Sequence, residues 1–326
     1  MKFGIIGTGR IAKRFIKEIG HVEGAEVTAV YNPHEGSAAR FVAELQDEVA
    51  ELLKTAAFGL SGFSKPEAFD DIDAMLKLVD AVYIASPHST HFQYTIIALE
   101  HGKHVLCEKP MALCEAEASK AFKLAKDKGL ILMEGLKTAY CPGFNKALQV
   151  VDSGVIGQVK HVSAAFTKLI DTEGREFNDK DAAGSFKELG SYGLLAVFSL
   201  LGYDYKDIRF DSIKNTDDVD VYTVVNFDYG DAFGTVTAGL GVKTEGQLII
   251  AGTEGYIKVE APWWLTKHFE VRFEDPTKTI DYEQEFAGDG LRYEIRVFID
   301  RVNGKSVEMD KYYRMSLEMA RVMERQ

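Results

Sequence analysis

The segment Val105-Leu106-Cys107-Glu108-Lys109-Pro110-Met111 begins as a buried strand and ends in an acid, a base and a proline. A charged pair directly after an apolar run is either an ordinary strand exit or a place where a lysine has to be held still. A lysine just past the end of a parallel strand can hydrogen-bond a reacting oxygen and steady the charge that develops on it. Pro110 adds the expectation of a cis Lys109–Pro110 bond, because cis peptides are nearly confined to proline and mark tight turns.

Gly7-Thr8-Gly9-Arg10-Ile11-Ala12 is Gly-x-Gly-x-x-Ala, set between an apolar strand pattern at 2–6 and a helical one. Gly7 permits the tight turn, Gly9 lets a pyrophosphate approach the backbone, and Ala12 keeps the helix close to the sheet. The start of the helix offers free N–H groups and a partial positive charge to phosphates. Gly7, Thr8, Gly9, Arg10 and Ile11 are therefore candidate dinucleotide contacts. The next strand ends in Tyr31-Asn32-Pro33-His34, where a carboxylate would select NAD. Asn32 can instead bond a ribose hydroxyl or a phosphate oxygen, and Arg10 could help to bind a phosphate. NAD and NADP both stay open. Glu188 and Tyr192 form a third pair, four apart on a helical pattern and so on one face.

The elements that must carry these residues alternate in the first half. Strand patterns at 2–6, 26–31, 80–86, 103–108 and 130–134 alternate with helical ones at 37–53, 91–102 and 115–129. This alternation predicts βαβ units and a parallel sheet with helices on both faces. Ser89 or Thr90 could cap the helix after Pro87. Beyond residue 155, strand patterns with short connections ("VKHVSAAFTK", "DVYTVVNFDY", "AFGTVTAGL", "QLIIAG", "GYIKVEA", "HFEVRF") suggest a largely antiparallel sheet. Helical patterns at about 186–201, 290–303 and 312–325 make that half α+β. The boundary is expected near 137–142.

A chain of 326 residues is long for one core, so two domains are expected. A net charge of −12 argues against non-specific nucleic-acid binding and against anionic membrane surfaces. No apolar run approaches the roughly 20 residues that span a bilayer. The opening "MKFGIIGTGR" lacks the order of an export signal. Cys107, Cys114 and Cys141 form no Cys-x-x-Cys pair, which fits free thiols in a reducing cytoplasm. The histidines are not at ligand spacing with cysteines or carboxylates, so no metal site is expected. Trp263 and Trp264 read as core or interface packing, and Cys107 as strand packing.

Three segments together carry a resemblance: "FGIIGTGRIA" (3–12), "DAVYIASPHSTHFQYTIIALEHGKHVLCEKPMAL" (80–113) and "AAGSFKELGSYGLLAVFSLLG" (182–202). With "GYIKVEAPWW" (255–264), they show that the chain resembles the Gfo/Idh/MocA (glucose–fructose oxidoreductase / inositol dehydrogenase / rhizopine catabolism) oxidoreductases. The resemblance implies an α/β chain with a dinucleotide-binding Rossmann domain at 1–137. A substrate-binding and dimerisation α+β domain with an open, mainly antiparallel sheet follows at 138–326. It implies reversible hydride transfer between NAD or NADP and a sugar, polyol or related cyclic hydroxy or carbonyl compound. A homodimer or dimer of dimers through the C-terminal sheet is also implied.

Lys109 is catalytic in this family, and Ser86, Pro87, His91 and Glu108 fall on the cofactor side by the same likeness. The family usually carries Asp and His where this chain has Glu188 and Tyr192. Tyrosine at the second position resembles a branch that includes dihydrodiol dehydrogenases, which keeps non-sugar ring substrates in view. A phenol with pKa about 10 is a poor base at neutral pH unless a neighbouring cation lowers it. Tyr192 is therefore expected to be the general acid/base with Lys109 as its partner, and Glu188 to orient substrate or lysine. Lys137, Tyr140 and Arg175 are further candidates for the substrate side. The competing reading is a catalytically silent homologue that binds dinucleotide or sugar as a regulator.

Overall fold

The computed structural model describes the chain apart from residues 55–64, 172–173, 180–181 and 306–308, and apart from the side chains of 47–54 and 309–311. The chain forms two compact units. One comprises Met1–Gly135 with Gly288–Leu317, the other Leu136–Ala287 with Glu318–Gln326.

The first unit alternates strand and helix: β1 (Lys2–Ile6), α1 (Arg10–Ile19), β2 (Glu26–Tyr31), α2 (Ser37–Lys54), β3 (Glu67–Phe69), α3 (Ile72–Leu76), β4 (Ala81–Ile84), α4 (His88–Glu100), β5 (His104–Glu108), α5 (Glu115–Asp127) and β6 (Leu132–Gly135). The six strands pair in parallel in the order β3-β2-β1-β4-β5-β6. The strand order reverses between β1 and β4, the position at which open α/β sheets bind ligands beyond their carboxyl ends. Phe3, at 0% exposure, lies edge-on to Phe15 of α1 at 5.7 Å. Burying a side chain of this size stabilises by about 1.5–3 kcal/mol.

Two elements escape the sequence patterns. β3 has three residues and α3 five, too short for either periodicity to register. The start of α3 was nevertheless written in the chain, because the Asp71 carboxylate accepts from Asp73 N–H at 2.9 Å and caps the helix. The expected cap of α4 is corrected. That helix begins at His88 with Pro87 at its N-cap and no side-chain cap, and Thr90 lies inside the first turn.

The second unit contains α6 (Pro142–Asp152), β7 (Val159–Thr167), α7 (Arg175–Asn178), α8 (Ser185–Leu201), β8 (Asp207–Lys214), β9 (Asp220–Asp228), β10 (Phe233–Gly239), β11 (Leu248–Gly252), β12 (Tyr256–Val259), β13 (His268–Arg272) and β14 (Ile280–Glu283). Its eight strands run in the order β14-β13-β12-β11-β7-β10-β9-β8. All pairs are antiparallel except β7 with β10. α8 packs on one face of this sheet through β7, β10 and β9. β8 and β14 were missed because edge strands in contact with water carry charges rather than an apolar run: "DIRFDSIK" and "IDYE". The opening of α6 had a readable signal, Pro142 at its first turn.

Two helices close the chain, α9 (Leu291–Val302) and α10 (Met309–Glu324). Residues 288–317 belong to the first unit, so that unit is not one continuous segment. Phe298 of α9 lies 5.7 Å from Phe3 of β1. Arg292 clamps Glu18 of α1 with two parallel bonds, Nη2 to Oε1 at 2.7 Å and Nε to Oε2 at 3.1 Å. Burial alone would raise the Glu18 pKa, but the bonds and charge of Arg292 outweigh it and hold the carboxyl below its usual value. An amphipathic helix records that it has an apolar face, not which core receives it. That is why the return of the chain was not legible.

The start of α8 is built from a distance. Its N-cap, Gly184, has φ +117 and offers no side chain, and a Cβ there would stand 2.0 Å from Asp220 Oδ1. Asp220 of β9, 5% exposed, takes the role of the missing cap. Its carboxylate accepts from Phe186 N–H at 2.9 Å and from Thr223 Oγ1 at 2.8 Å. Ser185 adds a bridge, donating to the Asp220 carbonyl at 3.2 Å and accepting from Leu240 N–H at 3.0 Å. Asp220→Ala should lower the unfolding free energy by about 1–3 kcal/mol, the cost of leaving buried donors unpaired. Asp220→Asn should lose less, since an amide oxygen still accepts from Phe186. Urea midpoints at constant slope measure both, and an Asp220→Ala protein as stable as the parent would refute the cap.

Candidate active site

In the first unit, the glycine turn meets the end of β4. Gly7 has φ +110, and a Cβ on it would approach Ala85 O to 2.6 Å, so the glycine is required twice over. Gly9 is open by contrast, with the nearest atom to an added Cβ at 4.0 Å. α1 begins at Arg10 without a side-chain cap, and Ala12 is fully buried beneath it. An open glycine before an uncapped helix N-terminus leaves backbone N–H groups free to meet a phosphate group, the arrangement that the sequence pattern at Gly7–Ala12 predicts. Asn32 ties this turn together. Its amide donates to Thr8 Oγ1 at 2.8 Å and its oxygen accepts from His34 N–H at 2.9 Å.

The loop after β4 is similarly cross-braced. The Thr90 hydroxyl lies 2.7 Å from both Ser86 Oγ and the Pro87 carbonyl. His91 is fully buried, with Nδ1 2.8 Å from the Pro110 carbonyl and Nε2 2.9 Å from the Ser86 carbonyl. The imidazole therefore ties the loop after β4 to the turn after β5, and both of its nitrogens are engaged with backbone oxygens. Ser86 is half-buried and Pro87 exposed.

Lys109 stands just beyond β5, 8% exposed, and the Lys109–Pro110 bond is cis. Buried groups lie on both sides of it along the chain and on the next strand. Glu108, in the preceding position, accepts from the Tyr83 hydroxyl, and the Tyr83 ring is stacked on Phe15 at 3.7 Å. Burial and then the charge of Glu108 push the Tyr83 phenol well above its usual pKa, so it keeps its proton and donates it to Glu108. Cys107 is buried in the strand, as its apolar setting suggested. Glu134 of β6 accepts from Met111 N–H at 2.9 Å. Neither Tyr83 nor Glu134 figured among the sequence candidates. The signal for Glu134 was present, since an acid inside the apolar run "LILME" has to be buried for a reason.

In the second unit, Glu188 and Tyr192 lie one turn apart on α8, both half-buried. The Tyr192 ring meets Phe166 edge-on at 5.0 Å and Trp264 at 6.5 Å, while Phe166 and Trp264 stack at 3.5 Å. The two tryptophans divide. Trp263 is fully buried and donates to Ala165 O at 3.0 Å, as core packing requires. Trp264 is half-buried and belongs with the tyrosine. Lys137 is buried in a short 3-10 turn with half-buried Tyr140 at its end. Arg175 is exposed at the start of α7, in a loop (171–184) part of which falls outside the described residues.

The sheet brings together a group that spacing along the chain could not show. His268, Glu270 and Asp281 present ligand atoms within 4.8 Å of one another, because Glu270 and Asp281 are cross-strand partners in β13 and β14. Arg272 already holds Glu270, donating from Nε at 2.6 Å, so the charges of this group have a pairing of their own.

Comparison with known proteins agrees with the fold. Residues 1–136 match the GFO_IDH_MocA family, described as an oxidoreductase family with an NAD-binding Rossmann fold, and 144–258 match the GFO/IDH/MocA C-terminal domain. The chain is 27% identical to scyllo-inositol 2-dehydrogenase (NADP(+)) IolU of Bacillus subtilis over 99% of this chain and 95% of that protein. It is 32% identical to the uncharacterized oxidoreductase YgjR of Escherichia coli over 71% of this chain and 67% of that one. Its fold is shared by KijD10, a 3-ketoreductase from Actinomadura kijaniata solved with NADP and TDP-benzene. There the TM-score is 0.83 at 23% identity, covering 99% of this chain and 96% of that one. A parallel sheet with its glycine turn at the strand-order reversal, a second mainly antiparallel sheet, and these matches together place the chain in the Gfo/Idh/MocA family of NAD(P)-dependent oxidoreductases.

Proposed function

We propose that the protein transfers hydride reversibly between NAD(P) and a sugar, polyol or related cyclic hydroxy or carbonyl compound, with Lys109 and Tyr192 handling the substrate oxygen. The observation that carries this reading is Lys109 itself. It is a lysine held with little exposure at the carboxyl edge of a parallel sheet whose switch point bears an open glycine turn. The nicotinamide supplies the hydride donor or acceptor. The Lys109 ammonium donates to the oxygen and stabilises its developing negative charge. Tyr192 takes the hydroxyl proton in oxidation and returns it in reduction. Glu188, one turn away, orients the substrate. Glu108, Ser86 and the glycine turn hold the dinucleotide. The relatives named for an inositol and for a keto group support a cyclic, hydroxylated substrate. The aromatic surface of Phe166 and Trp264 beside Tyr192 suits the apolar face of such a ring.

The second sheet also bears on assembly. Thr223, Val225 and Phe227 of β9 are fully buried, Phe227 against Phe198 of α8, whereas Phe233 and Ile213, paired with Asp228 and Tyr222 on the opposite face, are 55% and 57% exposed. That face is proposed to meet a second copy of the chain. Phe233→Asp should shift the molar mass measured by light scattering from dimer toward monomer, and a parent protein that is monomeric throughout would end this reading.

A panel of sugars, polyols and cyclic diols, offered with NAD and with NADP and followed at the nicotinamide absorbance, identifies the substrate. With that substrate, Lys109→Ala should leave dinucleotide affinity nearly intact and lower kcat by about 10²–10³-fold or more. Normal turnover would sink the assignment. Tyr192→Phe should slow the reaction by about 10²–10⁴-fold at unchanged cofactor affinity, as expected on removing a general acid/base. An unchanged rate and pH profile would move that role to Glu188.

A further inference from the structure

A dinucleotide fold that selects NAD ends its second strand in a carboxylate that takes a ribose hydroxyl, and one that selects NADP offers an arginine nearby. Here the end of β2 carries no acid, since Tyr31 is followed by Asn32, Pro33 and His34. Asn32 acts as a brace, with one end of its amide on Thr8 Oγ1 and the other on His34 N–H. The chain then turns through Gly36, at φ +71, into α2. Ser37 N–H donates to the His34 carbonyl at 3.0 Å, which ties the first residue of α2 to this turn.

Arg40 folds back over the turn. Its Nη2 donates to Ser37 Oγ at 2.8 Å, and a Cβ on Gly36 would stand 3.3 Å from Nη1. The guanidinium therefore lies across the bare Cα of Gly36, beside a half-buried hydroxyl. Arg272, Arg292 and Arg321 each hold a carboxylate. Arg40 is exposed and forms no ion pair among the described residues. Of the two acids after β3, Asp71 is engaged as the cap of α3 and Asp70 is exposed. Glu35, also exposed, is the one acid between residues 32 and 40.

We infer that Ser37 and Arg40 form the site for the 2′-phosphate of NADP, and that the protein prefers NADP to NAD. A planar guanidinium meets phosphate oxygens through two parallel N–H bonds. The Ser37 hydroxyl accepts from Arg40 and keeps its own proton for a third. The inference rests on the dinucleotide site at the glycine turn and is independent of the roles of Lys109 and Tyr192.

The test titrates the full chain with NADPH and with NADH, read by nicotinamide fluorescence. Adenosine 2′,5′-bisphosphate and adenosine 5′-monophosphate are the competitors, and the bisphosphate should displace NADPH at the lower concentration. NADPH should bind about tenfold tighter than NADH or better, the worth of one charged hydrogen bond. Arg40→Ala should weaken NADPH about ten- to a hundredfold and leave NADH within about threefold of the parent. The retained NADH affinity shows that the variant is folded. Arg40→Lys keeps the charge without the fork and should fall between parent and alanine. The competing arrangement has Glu35 taking the ribose hydroxyls of NAD. NADH would then bind the tighter, Glu35→Gln would weaken it, and the inference would be overturned. An Arg40→Ala protein that binds NADPH as the parent does overturns it equally. Failure of both nucleotides to bind would remove the dinucleotide site and the inference together, whereas normal turnover by Lys109→Ala would leave the inference standing.

Discussion

A lysine side chain is long and carries about 2 kcal/mol of rotamer entropy, so holding its head in place begins with holding its backbone. In this protein the constraint is met in the backbone of the turn after β5. The His91 ring engages the Pro110 carbonyl from α4, and Glu134 takes Met111 N–H from β6. Glu108 is fixed from behind by Tyr83, whose ring is stacked on Phe15 of α1. Buried polar contacts of this kind are strong when complete and costly when one partner is missing.

α8 faces the same problem with a different solution. A helix that carries Glu188 and Tyr192 has to start at a fixed place, and the residue at its N-cap is a glycine with nothing to offer. Asp220, from the next strand but one in sequence, supplies the carboxylate. The close fit of Asp220 against Gly184 also explains why that position carries no side chain. The ring of Tyr192 then sits against Phe166 and Trp264.

The return of residues 288–317 to the first unit ties distant parts of the sequence into one core. Arg292 and Glu18 are 274 residues apart and make a bidentate pair with little exposure. Removing one member of such a pair strands a charge in a poorly solvated place, while the pair itself adds little net stability. The pair joins α9 to α1 with both side chains engaged.

The sequence by itself determined the alternation of strands and helices, the glycine turn with its uncapped helix, and the lysine at the end of β5. These are local patterns: period, punctuation and a few residues at fixed spacing. It did not determine β3, α3, β8 or β14, because elements of three to eight residues at sheet edges or half in water lack an apolar period. Nor did it show Glu134 against Met111, Asp220 against α8, Trp264 against Phe166, or His268 with Glu270 and Asp281. Each of those depends on strand register or on which core a helix joins. Register is fixed by pairing between segments far apart in the chain, so only the tertiary structure decided them.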